Sequence, residues 1–123
     1  MERLTVGSRN GDYEVVARPR ALAAFGPFLA TEGADRPRSV ISNTTVAPLW
    51  ADEAARSLDA PLIELDDGEI HKRWPTVEAL LGRWLETGLH RADTVAAIGG
   101  GVLTDTVGFA AAVYLRGISW ILP

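Results

Sequence analysis

The hydrophobic positions of this chain follow two different periods. Short apolar runs rich in strand-forming residues stand at 4–6, 13–17, 39–42, 61–65, 94–98 and 118–122. In the longer segments between most of them, apolar residues recur every three or four positions, which is the period of an amphipathic helix. The pattern therefore predicts strands alternating with helices.

Four helices are predicted in these segments. The first is expected from Pro19 onwards, and the others over 46–58, 75–87 and 101–115. The third is the clearest, because five residues form one apolar face and Gly88 follows where a left-handed cap would end the helix. Those five residues are Val77, Leu80, Leu81, Trp84 and Leu85. The fourth helix is apolar nearly all round, which predicts burial on more than one side.

The order of these elements predicts the fold class. The first two strands flank Asn10-Gly11, a dipeptide typical of a tight hairpin turn with positive φ angles. The later strands alternate with helices, and right-handed crossovers would make their sheet mostly parallel. The predicted fold is α/β: a Rossmann-like, mostly parallel sheet with flanking helices, preceded by an N-terminal β-hairpin.

Composition narrows the class of protein. The chain has 123 residues, 47% of them hydrophobic, and a formal net charge of −4, which predicts one globular domain with its own core. The absence of cysteine excludes a thiolate nucleophile and a cysteine-ligated zinc. Mild acidity without a basic cluster argues against nucleic acid. With no signal segment and no apolar stretch long enough for a bilayer, we expect a cytoplasmic protein without a membrane partner.

Three glycines carry the first chemical signal. Gly99, Gly100 and Gly101 lie between a predicted strand and a predicted helix. Glycine there lets a dinucleotide pyrophosphate approach the backbone, and the helix N-terminus offers unpaired N–H groups to it. The alternative is a tight turn that needs positive φ. The spacing is not the G-x-G-x-x-G of a Rossmann fingerprint.

Two polar clusters follow strands that should end at the same edge of the sheet. Residues 66–72 follow one strand and residues 43–45 follow another. Carboxylates can accept from ribose hydroxyls, and Lys72 can reach a phosphate or pair with a carboxylate. A solvated charged loop is the alternative for residues 66–72. Three such clusters at one edge favour a nucleotide crevice.

Other common chemistries find little support. His71 and His90 stand 19 positions apart, which is a poor metal-ligand spacing, so no metal ligand is assigned. The serines lack a G-x-S-x-G elbow. The four tryptophans are spread along the chain, which favours core packing over base stacking.

The stretch from Gly99 to Ile118 resembles the N-terminal part of the 3-dehydroquinate synthase family, the wider group of sugar-phosphate cyclases. It fits the family pattern G-G-G-V-x-x-D-x-x-G-F-x-A-A-x-Y-x-R-G. Upstream, residues 67–72 fit D-G-E-x-x-K, and residues 43–49 resemble T-D-x-x-V-x-x-L. Asn43 stands where the family has an aspartate, and Thr104 where it commonly has glycine.

The resemblance implies that residues 1–123 form an NAD-binding N-terminal domain, with a helical, metal-binding C-terminal domain outside this chain. It implies a lyase that oxidises a hydroxyl of a seven-carbon sugar-acid or sugar phosphate, eliminates phosphate, returns the hydride and closes a carbocycle. In the named family this reaction serves the shikimate pathway of aromatic amino acid biosynthesis. We expect the 123 residues to be inactive alone, because the family's ligands for zinc or cobalt lie outside them. A homodimer is expected as well.

The resemblance also implies site residues. Those expected to bind NAD are Asn43, Thr45, Asp67, Gly68, Glu69, Lys72, Gly99, Gly100, Gly101, Val102 and Asp105. Arg116 stands where the family places an arginine for the substrate phosphate, and the resemblance allows it to act across the dimer. No catalytic residue is assigned.

Two alternatives remain open at this point. Iron-type alcohol and glycerol-1-phosphate dehydrogenases share the fold and a G-G-G-x-x-x-D turn, but they usually continue D-x-x-K, where this chain has Gly108. A stand-alone nucleotide-binding or dimerisation module is the non-enzymatic alternative. The end of the chain at Pro123, directly after an apolar strand, favours a domain that is not complete in itself.

Overall fold

The computed structural model describes the whole chain, from Met1 to Pro123. In chain order its elements are β1 (Glu2–Val6), β2 (Tyr13–Ala17), α1 (Phe25–Thr31), β3 (Ser39–Asn43), α2 (Asp52–Leu58), β4 (Leu62–Leu65), α3 (Trp74–Glu86), β5 (Thr94–Ile98), α4 (Gly101–Val113) and β6 (Ser119–Ile121). A π-helical turn, Ala47–Ala51, leads into α2, and 3₁₀ turns occupy Glu69–His71 and Tyr114–Arg116. None of the helices is both long and apolar enough to cross a membrane.

Four parallel strands form the main sheet in the order β4-β3-β5-β6. The connection through α2 carries the chain from β3 outwards to β4, and the connection through α3 brings it back across β3 to β5. The strand order therefore reverses between β3 and β5. The predicted α/β class, the parallel sheet and the N-terminal hairpin are confirmed.

The core has two layers, because successive residues of a strand point to opposite faces of the sheet. Val40, Ala96 and Ile98 pack with buried residues of α1 and α2. Ile41 and Val95, which alternate with them, pack with α3 and α4. The sheet is thus covered on both faces, and only its ends remain open to build a site.

The hairpin β1–β2 is a separate two-stranded sheet held to α1 by charge. The guanidinium of Arg3 donates to both carboxylate oxygens of Glu32, at 2.8 and 2.9 Å, and also to Glu14. These hydrogen bonds raise the pKa of Arg3 and lower that of Glu32. The prediction of a tight Asn10-Gly11 turn was wrong, because Val6 pairs with Tyr13 and leaves a six-residue loop in which only Gly11 has positive φ.

The first helix begins six residues later than predicted. Residues 19–24 form turns, Arg20 has a φ of 55°, and α1 starts only at Phe25. Pro27 explains this, since a helix from Pro19 would hold it in the interior, where proline costs about 3 kcal/mol. With the start at Phe25, Pro27 falls in the first turn, where its missing N–H has no helical partner to lose.

Several predictions of side-chain burial or helix length need correction. Helix α4 ends at Val113 rather than Leu115, because Leu115 and Arg116 adopt positive φ angles. Leu85 is exposed instead of belonging to the apolar face of α3. Of the four tryptophans, only Trp84 is in the core, against the ring of Tyr114. The others lie at the surface, where Trp50 and Trp74 are more than half exposed.

Candidate nucleotide-binding site

The candidate site lies at the carboxyl ends of β3 and β5, where the strand order reverses. In open α/β sheets the crevice at such a reversal is where ligands bind. Ser42 of β3 and Ile98 of β5 form the last pair of these two strands, and the Ser42 hydroxyl donates to the Ile98 carbonyl at 2.6 Å. The residues that follow are Asn43 on one strand and Gly99 on the other, so two of the three predicted clusters meet here.

The three glycines of the turn differ in what surrounds them. A Cβ atom on Gly99 would come within 2.6 Å of the side chain of Leu103, so packing against α4 requires glycine there. Gly100 and Gly101 have nothing within 4 Å of such an atom, and none of the three has a positive φ. Neither conformation nor internal packing therefore requires glycine at 100 and 101. The space beside them is open to a ligand.

Helix α4 begins at this turn and presents its N-terminus to the open space. The amide of Thr104 is bonded to the Gly100 carbonyl, closing the first turn of the helix. The amides of Gly101, Val102 and Leu103 precede that bond and have no helical acceptor. Together with the partial positive charge of the helix end, they suit a phosphate group.

The loop after β4 comes to the same edge and contacts α4 through an ion pair. Gly68 takes a φ of 114° and starts the turn Glu69–His71. Lys72 then reaches the carboxylate of Asp105 at 2.8 Å, with Glu69 at 3.9 Å on its other side. The hydrogen bond to Asp105 raises the pKa of Lys72. Of the two roles open to Lys72, the structure shows the pairing with a carboxylate.

Asn43 is the buried polar centre of the crevice, with 6% of its surface exposed. Its side-chain oxygen accepts from the amides of Thr45 and Val46, at 3.1 and 2.7 Å, and its side-chain nitrogen faces Asp67 at 3.4 Å. Thr45 is exposed and takes part through its backbone. The bonds to Thr45 and Val46 turn the chain from β3 into the helical segment that follows.

Two polar residues in the crevice were not predicted from the sequence. Thr76 and Thr106 line the small cavity that also contains Asn43, Asp67, Gly68 and Val102. Thr106 is buried and donates to the carbonyl of Val102, four positions earlier. The four-residue spacing puts Thr106 on the same face of α4 as Val102, and this spacing could have identified Thr106 from the sequence.

A shallow aromatic groove adjoins the ion pair. Trp74 and Phe109 meet edge to face, with ring centroids 6.4 Å apart, and both are more than half exposed. They line a space of about 380 Å³ together with Lys72 and Asp105. The groove is apolar on one side and charged on the other.

Arg116 is not brought to the crevice. It follows α4 and precedes β6, so it lies at the amino edge of the sheet, whereas the glycine turn lies at the carboxyl edge. The 13 residues of α4 separate the two by about 20 Å along the helix. A second copy of the chain would be needed to bring an Arg116 to this crevice.

The chain contains no group of three or more His, Cys, Asp or Glu side chains that could hold a metal ion. The zinc or cobalt ion implied by the resemblance therefore has no ligand set among these 123 residues.

Sequence comparisons relate this chain to 3-dehydroquinate synthases. A family profile described as 3-dehydroquinate synthase N-terminal matches residues 62–122. The 3-dehydroquinate synthase of Geobacter metallireducens is 40% identical over 126 aligned positions, which cover 98% of this chain and 35% of that protein. The chain thus spans about a third of the length of the curated relatives it matches.

Solved structures agree with the sequence matches. The 2-epi-5-epi-valiolone synthase of Streptomyces hygroscopicus subsp. jinggangensis 5008, solved with NAD+ and Zn2+ bound, is 32% identical with a TM-score of 0.77. The match covers 95% of this chain and 33% of that one. A 2-deoxy-scyllo-inosose synthase has a TM-score of 0.85 at 23% identity, over 98% of this chain and 35% of its own, which shows the shared fold. The chain belongs to the 3-dehydroquinate synthase family and matches the N-terminal part of its proteins.

Proposed function

We propose that these residues form the NAD-binding domain of a sugar-phosphate cyclase similar to 3-dehydroquinate synthase. The observation that carries the proposal is the open space beside Gly100 and Gly101 at the N-terminus of α4. A dinucleotide pyrophosphate fits such a place, because the backbone amides can approach it without a side chain in between. The solved valiolone synthase with NAD+ bound supports the choice of dinucleotide.

The polar groups around the turn suit the rest of the cofactor. Asp67, Glu69 and Asp105 supply acceptors for ribose hydroxyls, and Lys72 holds Asp105 in place. Gly68 and Val102 line the crevice between them. NAD would accept a hydride from the substrate and return it, while the residues named here bind and orient the cofactor.

The whole protein would be a carbon–oxygen lyase acting on a seven-carbon sugar-acid or sugar phosphate. It would work as a cytoplasmic homodimer in which Arg116 binds the substrate phosphate at the partner's crevice. The position of Arg116 at the far edge of its own sheet supports an action between subunits. Gly108 argues against the dehydrogenase alternative, since a larger residue there would meet Trp120, whose ring lies 2.6 Å from a Cβ built on Gly108.

The proposal is tested by titrating NAD into the folded chain and measuring heat. Because the crevice of this chain is shallow, we expect a dissociation constant near millimolar, or about −4 kcal/mol. Asp105→Ala should weaken binding about tenfold, since it removes a ribose acceptor and the carboxylate that positions Lys72. Asp35→Ala, which removes a carboxylate from a loop at the opposite edge of the sheet, serves as the matched control. No heat with the wild-type chain at millimolar NAD would contradict the proposal.

A further inference from the structure

We propose that Asn43 is a positioning residue, which directs the carboxylate of Asp67 into the crevice and does not itself receive the ribose of NAD. This inference rests on the proposed function, because it concerns the same crevice. It differs from the role that the resemblance implies for position 43, which is a direct contact with the cofactor.

The orientation of the Asn43 amide is fixed by its backbone partners. The amides of Thr45 and Val46 can only donate, so the atom that faces them at 3.1 and 2.7 Å must be the side-chain oxygen. Asn43 is buried, with 6% of its surface exposed, so it has little room to turn. Its oxygen is therefore committed to the backbone.

The nitrogen of the same amide points towards Asp67. It lies 3.4 Å from Oδ1, a long hydrogen bond to a carboxylate. This is the sole hydrogen bond of the Asp67 side chain, and Asp67 is otherwise exposed at the mouth of the crevice. Asn43 thus orients one carboxylate oxygen and leaves the other free to accept.

Position 43 consequently offers a ligand a donor rather than an acceptor. A ribose diol is bound most strongly by carboxylates, which accept from its hydroxyls. Asp67 is the carboxylate beside Asn43 in the same cavity. The residue that accepts from the ribose hydroxyl is therefore Asp67. The amide of Asn43 orients the Asp67 carboxylate and, being neutral, does not repel it.

An aspartate at position 43 would reverse this arrangement without disturbing the fold. One of its oxygens could keep the bonds to Thr45 and Val46, because aspartate accepts from the backbone as asparagine does. The second oxygen would then lie about 3.4 Å from Oδ1 of Asp67, where two negative charges repel and a proton binds between them more readily.

The test is the dissociation constant of NAD for Asn43→Asp at about pH 7 and about pH 5. The variant should bind about fivefold to tenfold more weakly than wild type at the higher pH, and most of that loss should disappear at the lower pH, when the pair shares a proton. Asn10→Asp, the same change in the hairpin loop, is the matched control and should bind as wild type does. In Asn43→Asp/Asp67→Asn the pH dependence should return to that of wild type.

Other titratable groups face the same region. Asp66 and His71 line the cavity, and Glu69, Lys72 and Asp105 follow along the crevice. These groups are present in wild type, in Asn43→Asp and in Asn43→Asp/Asp67→Asn. Their contribution is therefore removed by subtracting the pH profile of wild type from that of each variant. What remains belongs to position 43 and Asp67.

The opposite outcomes overturn the inference. If Asn43→Asp binds NAD more tightly at about pH 7, residue 43 contacts the ribose directly. If its affinity equals that of wild type at both values of pH, Asn43 has no effect on Asp67. Thermal melting of the ligand-free variants gives a second readout: Asn43→Asp should lose stability relative to wild type on going from pH 5 to pH 7. That readout remains valid if wild type fails to bind NAD, which would refute the proposed function alone.

Discussion

At the scale of single residues, neighbouring glycines have different roles that their letters do not reveal. From the sequence, the run Gly99-Gly100-Gly101 predicts a phosphate-binding turn. Its division into one glycine required by Leu103 and two that face open space could not, because that depends on how α4 leaves the sheet. For the same reason the sequence marked Asn43 as a candidate but did not reveal which end of its amide faces the crevice.

This division predicts opposite effects of two adjacent substitutions. Gly99→Ala should lower the free energy of unfolding by about 1 to 3 kcal/mol, because its Cβ meets Leu103 in the core. Gly100→Ala should change stability by about 0.5 kcal/mol or less, since its φ of −82° suits alanine. It should weaken NAD binding about tenfold, or about 1.4 kcal/mol, by filling the approach to the backbone. Urea unfolding and calorimetry measure the two effects, and equal losses of stability would contradict the division.

At the scale of elements, the strands and α3 were predictable because their apolar periods are regular and their ends carry glycine or proline. Helix α1 was not, because apolar residues at helical spacing continued through the turn before Phe25 while Pro27 restricted where a helix could start. The close packing of α1 on α2 could not be predicted from the pattern of hydrophobic positions either. Gly26 allows it, with its amide bonded to the Ser57 hydroxyl at 2.9 Å.

Two helical glycines test that packing. A Cβ on Gly26 would lie 2.3 Å from the backbone oxygen of Ser57, so Gly26→Ala should lower the free energy of unfolding by about 2 kcal/mol as the helices separate. Gly82 in α3 has nothing within 4 Å, so Gly82→Ala should raise it by about 1 kcal/mol through helix propensity. Denaturant titrations of both variants measure this. Stabilisation by both would show that α1 does not pack closely on α2.

At the scale of the whole molecule, the fold brings candidate site residues from three separate segments to one edge of the sheet and leaves a fourth candidate away from it. Asn43, Asp67 and Gly99 could be placed at one edge from the sequence, since parallel strands end there together. Arg116, predicted to bind the substrate phosphate, lies away from them at the amino edge of the sheet. Phe109 and Val113, exposed on α4 by 53% and 43%, show that the helix predicted to be buried on more than one side has an uncovered face in this chain.

The proposed division of one site between two subunits predicts complementation. The chain would be fused to the C-terminal part of the Geobacter relative and assayed for phosphate release from a phosphorylated seven-carbon keto acid. Asp105→Ala and Arg116→Ala fusions should each lose activity. Subunits mixed from the two should recover about a quarter of wild-type activity, because half of the dimers hold one intact site. No recovery would contradict the shared site, and net accumulation of NADH would favour the dehydrogenase alternative.

The most direct test of the account is where NAD contacts the chain. Amide shifts of the ¹⁵N-labelled protein would be followed by NMR as NAD is added to millimolar concentration. We expect the largest changes at Gly99 to Val102, at Gly68 and Lys72, and at Thr45 and Val46, with the hairpin β1–β2 unchanged. Changes centred on the hairpin or the amino edge of the sheet, or none in the glycine turn at saturation, would contradict the claim that this crevice is the NAD site.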